Sequence, residues 1–504
     1  MTRIPLGGAR NICVTMSAVV AIVGAGIVGA VAARCLAEAG VDVVLIEGGT
    51  GLADEPGTHL RNLPSCRADR AFHFDLVRSC LRPASVRRAE GFAPRPAAPP
   101  MPAGNGINPQ QPGRSNMVGA RLTSVHGGMG VLWNCVSPRL HPLIEQWGGI
   151  PAESWDRSYE EAERLLGVGF EATAGSARQD YLMGRLAEVT APRPAPLAAR
   201  LRPGEPRTVR WTGPAEVLAD IASESARARI RLLDNRAVTG LELASGRVTG
   251  ARVVDLDTRS TGVVRADSFL VAAGAVRTPA LLWASGIGRG AASPLGRYLA
   301  EHPLAYAQVV LDPVSLGADR DAAGPDPCVV IPVTASRPFH SLLVCDGYDA
   351  QALEGRLDER LILSLYWYAI MDSRFENRVA FGAGGTDALG LPQPTFEYRL
   401  SDGDRDRLRA ALADLGDVGA FLGPFLPGRS PQMLSPGSSM HLLGTTRMGL
   451  PGDAQSVVDD HGQVWGFDNL YLAGTGLLRT AGATNPTLAA CALAVRTARR
   501  IVGG

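Results

Sequence analysis

The residues able to do chemistry fall into two sets. The first is Gly24-Ala-Gly26-Ile-Val-Gly29 with Glu47 beyond it, at the spacing of about 20 residues that dinucleotide sites use. Glycines there permit a tight turn and let the backbone approach a pyrophosphate. A helix N-terminus then faces the phosphate charge, and the acid takes a ribose hydroxyl pair. This spacing fits NAD and FAD alike. The second set is His441, ahead of Gly444-Thr445, and Asn485, ahead of Pro486-Thr487. An imidazole with an ordinary pKa of about 6.5 can take a proton near neutral pH, and an amide both donates and accepts. By type alone, His441 reads first as a structural histidine and Asn485 as a helix cap. His302, His340 and Asp346 are further polar candidates for substrate contact. Tyr348, Trp367 and Tyr368 could stack on a ring, although core packing is the reading their type favours.

Composition removes several chemistries. The chain has 50 basic residues and all are arginine, so Schiff-base catalysis through lysine is excluded. Its eight cysteines form no C-x-x-C and no zinc-spaced cluster with histidine. That gives no metal site and suits buried thiols in a reducing, cytoplasmic setting. A net charge of +1 offers nothing to nucleic acid or an acidic membrane, and no apolar stretch of spanning length is free of charges or glycine turns. Arg3 and Arg10 before an apolar run imitate a secretory leader. That run is the first strand of the nucleotide motif, so residues 1–15 read as a tail, with Met16 an alternative start.

The first set needs strand, turn, helix and strand to hold it. Ser17–Val23 is a short apolar run suited to a buried parallel strand. Ala30–Ala39 reads as a helix stopped by Gly40, and Val41–Ile46 as the next strand. From Leu52 to Gly104 the pattern loosens into a Pro- and Arg-rich excursion. Pro151–Leu166 reads as a helix with a solvated acidic face. Arg229–Leu233, Ala237–Leu243 and Arg247–Leu256 read as one small sheet layer. Phe269–Gly274 is a buried strand, with a helix beginning at Thr278-Pro279. Asn469–Gly474 is another glycine-ended strand, and Leu488–Val502 a closing helix.

Gly274 to Gly288 resembles the second signature of the glucose–methanol–choline (GMC) family of flavin oxidoreductases. Gly127-Gly128-Met with Trp133 and Cys135 is similar to the flavin loop of its pyranose oxidase and bacterial glycoside 3-oxidase branch. So are Leu299 to Pro303, Pro392 to Phe396, His441 with Gly444-Thr and Arg447-Met-Gly449, and Asn485-Pro-Thr-Leu488. The resemblance implies an α/β chain: an FAD-binding Rossmann-like domain of the glutathione-reductase type and a second, α+β substrate-binding domain built on a sheet. The expected division is 16–150, 205–300 and 430–504 for FAD, and 151–204 with 301–429 for substrate. It also implies His441 as base and Asn485 as its polar partner. Gly24, Gly26, Gly29, Glu47, Gly127, Gly128, Asn134, Val238, Gly274, Gly474, Pro486 and Thr487 would lie along the cofactor, with Asn134 near the flavin N5 and O4.

One departure matters. Fungal pyranose oxidases attach FAD through a histidine in this loop, and the matching residue here is Leu132. Leucine cannot form that bond and His126 is offset, so noncovalent FAD is expected. The expected activity is oxidation of a secondary hydroxyl of a sugar or glycoside to a keto-sugar, with oxygen or a quinone-type acceptor. The alternative is oxidation of an antibiotic or other natural-product sugar, or of another alcohol, in a biosynthetic pathway. An NAD-dependent dehydrogenase fits less well, because the glycine-ended strands recur to the end of the chain.

Overall fold

The structure is a computed structural model. It describes residues 19–85, 108, 110–113, 116–202, 204–317, 326–345, 357–382, 385–387 and 390–503. The expected tail 1–15, Asp346 and Tyr348 lie outside the described residues.

A five-stranded parallel sheet runs in the order Leu470–Leu472, Ser268–Val271, Val19–Val23, Asp42–Ile46, Ile230–Leu233. All five residues of Val19–Val23 are buried, as expected of a strand covered on both faces. The helix Ile27–Glu38 packs on the closing helix Thr487–Gly503. Ala30 and Ala33 of the first helix and Ala489 and Ala490 of the second are all fully buried. The helix Ala152–Leu166 adds Trp155, Tyr159 and Leu165 to the same core.

The second sheet has six antiparallel strands, in the order Gln432–Met433, Leu304–Val310, Ile362–Ala369, Phe339–Val344, Cys328–Ile331, Arg193–Pro194. Side chains alternate between its faces. Ala305, Val309, Leu343, Leu365 and Trp367 pack on one face against the helices Ala177–Leu186 and Asp402–Leu422. Leu304, Leu342 and Tyr368 lie on the other, together with Ala483 from the loop before Asn485. Trp367 is therefore a core residue, its indole N–H donating to Asp414 at 2.6 Å, while Tyr368 beside it in sequence faces the opposite way.

Three local expectations are corrected. The strand Ile230–Leu233 joins the parallel sheet beside Asp42–Ile46, and Arg236–Ala244 pairs instead with Arg247–Asp255 and then Thr261–Val264. Asn235 at φ +57° turns the chain between the two sheets. The loosened stretch after Leu52 contains the helix Arg70–Cys80, started by the Asp69 side chain accepting from Phe72 N–H at 2.9 Å. The helix expected from Thr278 begins at Gly274, with Pro279 inside it. Proline lacks the N–H that would reach the carbonyl four residues back. That carbonyl, Ala275 O, accepts the Thr445 hydroxyl at 2.6 Å instead. No helix among the described residues is long and apolar enough to cross a membrane.

Candidate active site

Ligands of open parallel sheets bind beyond the carboxyl ends of the strands, and the first set of residues lies there. The helix Ile27–Glu38 starts at Gly26 with no side-chain cap and no acid in its first turn, leaving its N–H groups to an anion. Glu47 accepts from Ala25 N–H at 2.8 Å and Gly49 N–H at 2.6 Å, so its carboxylate is fixed beside that turn with lone pairs to spare. Gly274 (φ +80°) and Gly474 (φ +131°) end two neighbouring strands in conformations that favour glycine, and a Cβ at either would meet nothing within 4 Å. This open cradle fits a dinucleotide diphosphate.

The glycine loop is tied to the cradle by backbone. Thr50 N–H donates to Ser124 O and His126 N–H to Thr50 O, each at 2.9 Å. Gly127 and Gly128 follow at φ +90° and +57°. Gly130 passes so close that a Cβ would lie 2.9 Å from Ile27 N. Asn134 Oδ1 accepts from Val136 N–H at 3.1 Å, which shapes the turn around Cys135 at φ +63°. Val238 is a buried residue of the strand beside the Glu47 turn. Leu132, like Leu52 and Leu76, packs against the buried cluster of Cys80, Val125 and Val131, and the His126 Nδ1 is held by Asp234 at 2.8 Å.

The histidines gather against the open face of the second sheet. His441 Nδ1 lies 3.1 Å from His302 Nδ1. The Tyr368 ring is 5.4 Å from His441 and 6.5 Å from His340, centre to centre. All three imidazoles are pushed below the ordinary histidine value by burial, His441 to about 4, His340 to about 3, and His302 well below it, its histidine neighbours adding to the effect of burial. They are neutral at pH 7. Both ring nitrogens of His340 and the Oδ1 of Asn485 are buried with no partner among the described residues. Such groups are costly to leave unsatisfied unless a ligand supplies the bond.

Two buried glutamates, neither singled out by the sequence, hold these side chains in place. Glu301 accepts from Gly437 N–H at 2.7 Å and from the Ser439 hydroxyl at 3.0 Å, and Ser439 Oγ accepts from His441 N–H at 3.3 Å. Burial raises the Glu301 carboxyl to about 7. Glu145, with no exposed surface, accepts from Ala483 N–H at 2.7 Å, and from Thr484 N–H and its hydroxyl at 2.8 Å each. It thereby fixes the turn into Asn485. The only advance sign of Glu301 was its place in the Leu299 to Pro303 motif; Glu145 gave none.

A glycine-lined parallel sheet beside an antiparallel sheet that faces neutral imidazoles fits an oxidoreductase with a dinucleotide cofactor, and comparison with known proteins gives the class. The GMC oxidoreductase family matches over residues 204–304 and 373–494, and an NAD(P)-binding Rossmann-like domain over 22–74. The pyranose 2-oxidase of Lyophyllum shimeji is 30% identical, the alignment covering 95% of this chain and 91% of that protein. The C-glycoside 3-oxidase of Arthrobacter globiformis is 33% identical over 96% of this chain and 94% of that protein. A crystal structure of pyridoxine 4-oxidase shares the fold, with a TM-score of 0.62 at 18% identity, covering 96% of this chain and 99% of that one. The chain belongs to the GMC oxidoreductase family and is an FAD-dependent enzyme acting on CH–OH groups.

Proposed function

We propose that the protein oxidises a secondary hydroxyl of a sugar or glycoside to a ketone, using noncovalently bound FAD. The observation that carries this reading is three buried polar atoms with no partner among the described residues, His340 Nδ1 and Nε2 and Asn485 Oδ1. A ligand bearing several hydroxyls satisfies all of them, and the two relatives named above are oxidases of pyranose and of C-glycosides.

FAD, when bound, supplies the acceptor for the hydride leaving the carbinol carbon. The polypeptide does the rest. His441, neutral at pH 7, takes the hydroxyl proton at Nε2, which has no partner among the described residues. Asn485 orients that hydroxyl through its amide. His340 hydrogen-bonds a neighbouring hydroxyl, and Tyr368 forms an apolar wall beside the ring. The cradle at Gly26 and Glu47 holds pyrophosphate and ribose, and Gly127, Gly128 and Asn134 border the flavin.

Two experiments test the proposal. Anaerobic mixing with a panel of free sugars, O-glycosides and C-glycosides should bleach the flavin with at least one of them. Reduction by a simple alcohol and by none of the panel would overturn the substrate class. Leu132 lies in an apolar cluster and His126 is engaged by Asp234, so acid precipitation should release all flavin into the supernatant. Yellow colour kept by the pellet would show a covalent link.

A further inference from the structure

His441 is pushed down to about 4 by burial, yet its proposed role is to accept a proton in a water-poor site. An isolated buried imidazole would gain its charge at high cost. The contact that offsets this is on its other nitrogen.

Ala300 and Leu443 form an isolated antiparallel pair, with Ala300 N–H donating to Leu443 O at 3.1 Å and Leu443 N–H to Ala300 O at 2.8 Å. Two residues on from Ala300 and two back from Leu443 stand His302 and His441. In an antiparallel pair, residues two apart share a face, so this register brings the two imidazoles together. The Nδ1 atoms meet at 3.1 Å with ring centres 4.9 Å apart. The intervening Glu301 locks the alignment through Gly437 N–H and the Ser439 hydroxyl. His302 is 1% exposed, and this is its one hydrogen bond among the described residues.

Two neutral imidazoles sharing an Nδ1–Nδ1 contact hold one proton between them. If His302 donates it, His441 carries its own hydrogen on Nε2 and cannot act as a base there. If His441 donates it, the Nε2 lone pair of His441 is free. We propose that His302 is a positioning residue whose Nδ1 accepts the Nδ1–H of His441, fixing the tautomer in which His441 Nε2 faces the substrate hydroxyl. When the hydroxyl proton moves to Nε2 and the hydride leaves carbon for FAD, the imidazolium formed keeps its Nδ1–H on His302. That hydrogen bond becomes charge-assisted and strengthens as the charge develops. The proposal rests on the reading of His441 as the base.

The test compares His302→Leu, which removes the acceptor, with His302→Gln, whose amide carbonyl can accept the same hydrogen. Both should bind FAD as wild type does. The limiting rate of anaerobic flavin reduction should fall at least about tenfold in His302→Leu, since a misassigned tautomer disables a histidine base. The substrate dissociation constant should barely move, because the loss lies in the transition state. His302→Gln should recover most of the rate. A merely structural histidine would give neither that split nor that rescue. Equal rates for wild type and His302→Leu, or a Gln variant no faster than Leu, would overturn the proposal.

A second readout needs no substrate. In 15N-histidine spectra of the holoenzyme, the His441 signal, identified by its loss in His441→Ala, should be that of an Nδ1–H imidazole. It should change tautomer in His302→Leu. An Nε2–H signal for His441 in wild type would overturn the proposal. A wild-type flavin that no sugar reduces would instead count against the proposed substrate, and the spectrum would still decide the role of His302.

Discussion

His441→Ala is expected to retain FAD while its anaerobic flavin reduction slows by about 10²–10⁴-fold, the scale for a positioned general base. FAD should stay because the proposed pyrophosphate and ribose contacts, at Gly26 and Glu47, lie at the ends of the parallel strands, away from His441. The loss should fall on the limiting rate more than on substrate affinity, since the base acts in the transition state. A pH profile adds a second signature. Burial lowers the His441 value to about 4, and the base works only when neutral. The wild-type reductive rate should hold steady down from pH 7 and fall as the pH passes through about 4, a limb absent in the variant. Asn485→Ala should cost less, because it removes an orienting amide. Stopped-flow reduction of the His441 variant within a few-fold of wild type, with FAD fully bound, would reject the mechanism and move the base to His340 or His302.

The two halves of the site were not equally legible. Strand, glycine turn, helix and acid are neighbours in the chain, and their periods and spacings are local. The nucleotide cradle could therefore be read from Val19 to Glu47 with small errors at the ends. Where local rules misled, a distant contact had overridden them. Pro279 reads as a helix start, and it sits inside a helix because Thr445 supplies the hydrogen bond that proline cannot. Ile230–Leu233 reads as part of one layer with the next strands, but its partner is Asp42–Ile46. The histidine cluster is built from such contacts throughout. His441 and Asn485 stood out only through resemblance to a family. Glu145 reaches a loop 338 residues away and Glu301 one 136 residues away; a buried carboxylate satisfied by backbone N–H groups leaves no pattern of charge or period around itself. His302 stands out by type as a polar candidate, but its register with His441 depends on the Ala300–Leu443 pair, which no run of sequence displays.

Gly26→Val is expected to yield folded protein that purifies nearly free of flavin, and the three glycines of the first motif show why this variant separates binding from folding. Gly24 has φ +103°, and a Cβ there would lie 2.7 Å from Ala272 O. At Gly29 a Cβ would lie 2.0 Å from Gly24 O. Those two glycines are required by the polypeptide itself, for the turn and for the packing of helix on strand. Gly26 differs. Its backbone is ordinary, at φ −65° and ψ 175°, and the nearest atom to a Cβ would be Gly127 O at 3.7 Å. Nothing among the described residues forbids a side chain at this position; what it would obstruct is the proposed close approach of a pyrophosphate to the first turn of the helix. Gly26→Val should therefore keep a wild-type far-ultraviolet circular dichroism spectrum and lose its flavin absorbance. Its melting temperature should fall to that of wild type stripped of FAD, since the stabilisation lost is that of the bound ligand, about 2.7 kcal/mol at a hundredfold excess over the dissociation constant. Gly29→Val should instead fail to accumulate as folded protein. Stoichiometric FAD in Gly26→Val would remove the diphosphate from this turn and with it the reading of the cradle.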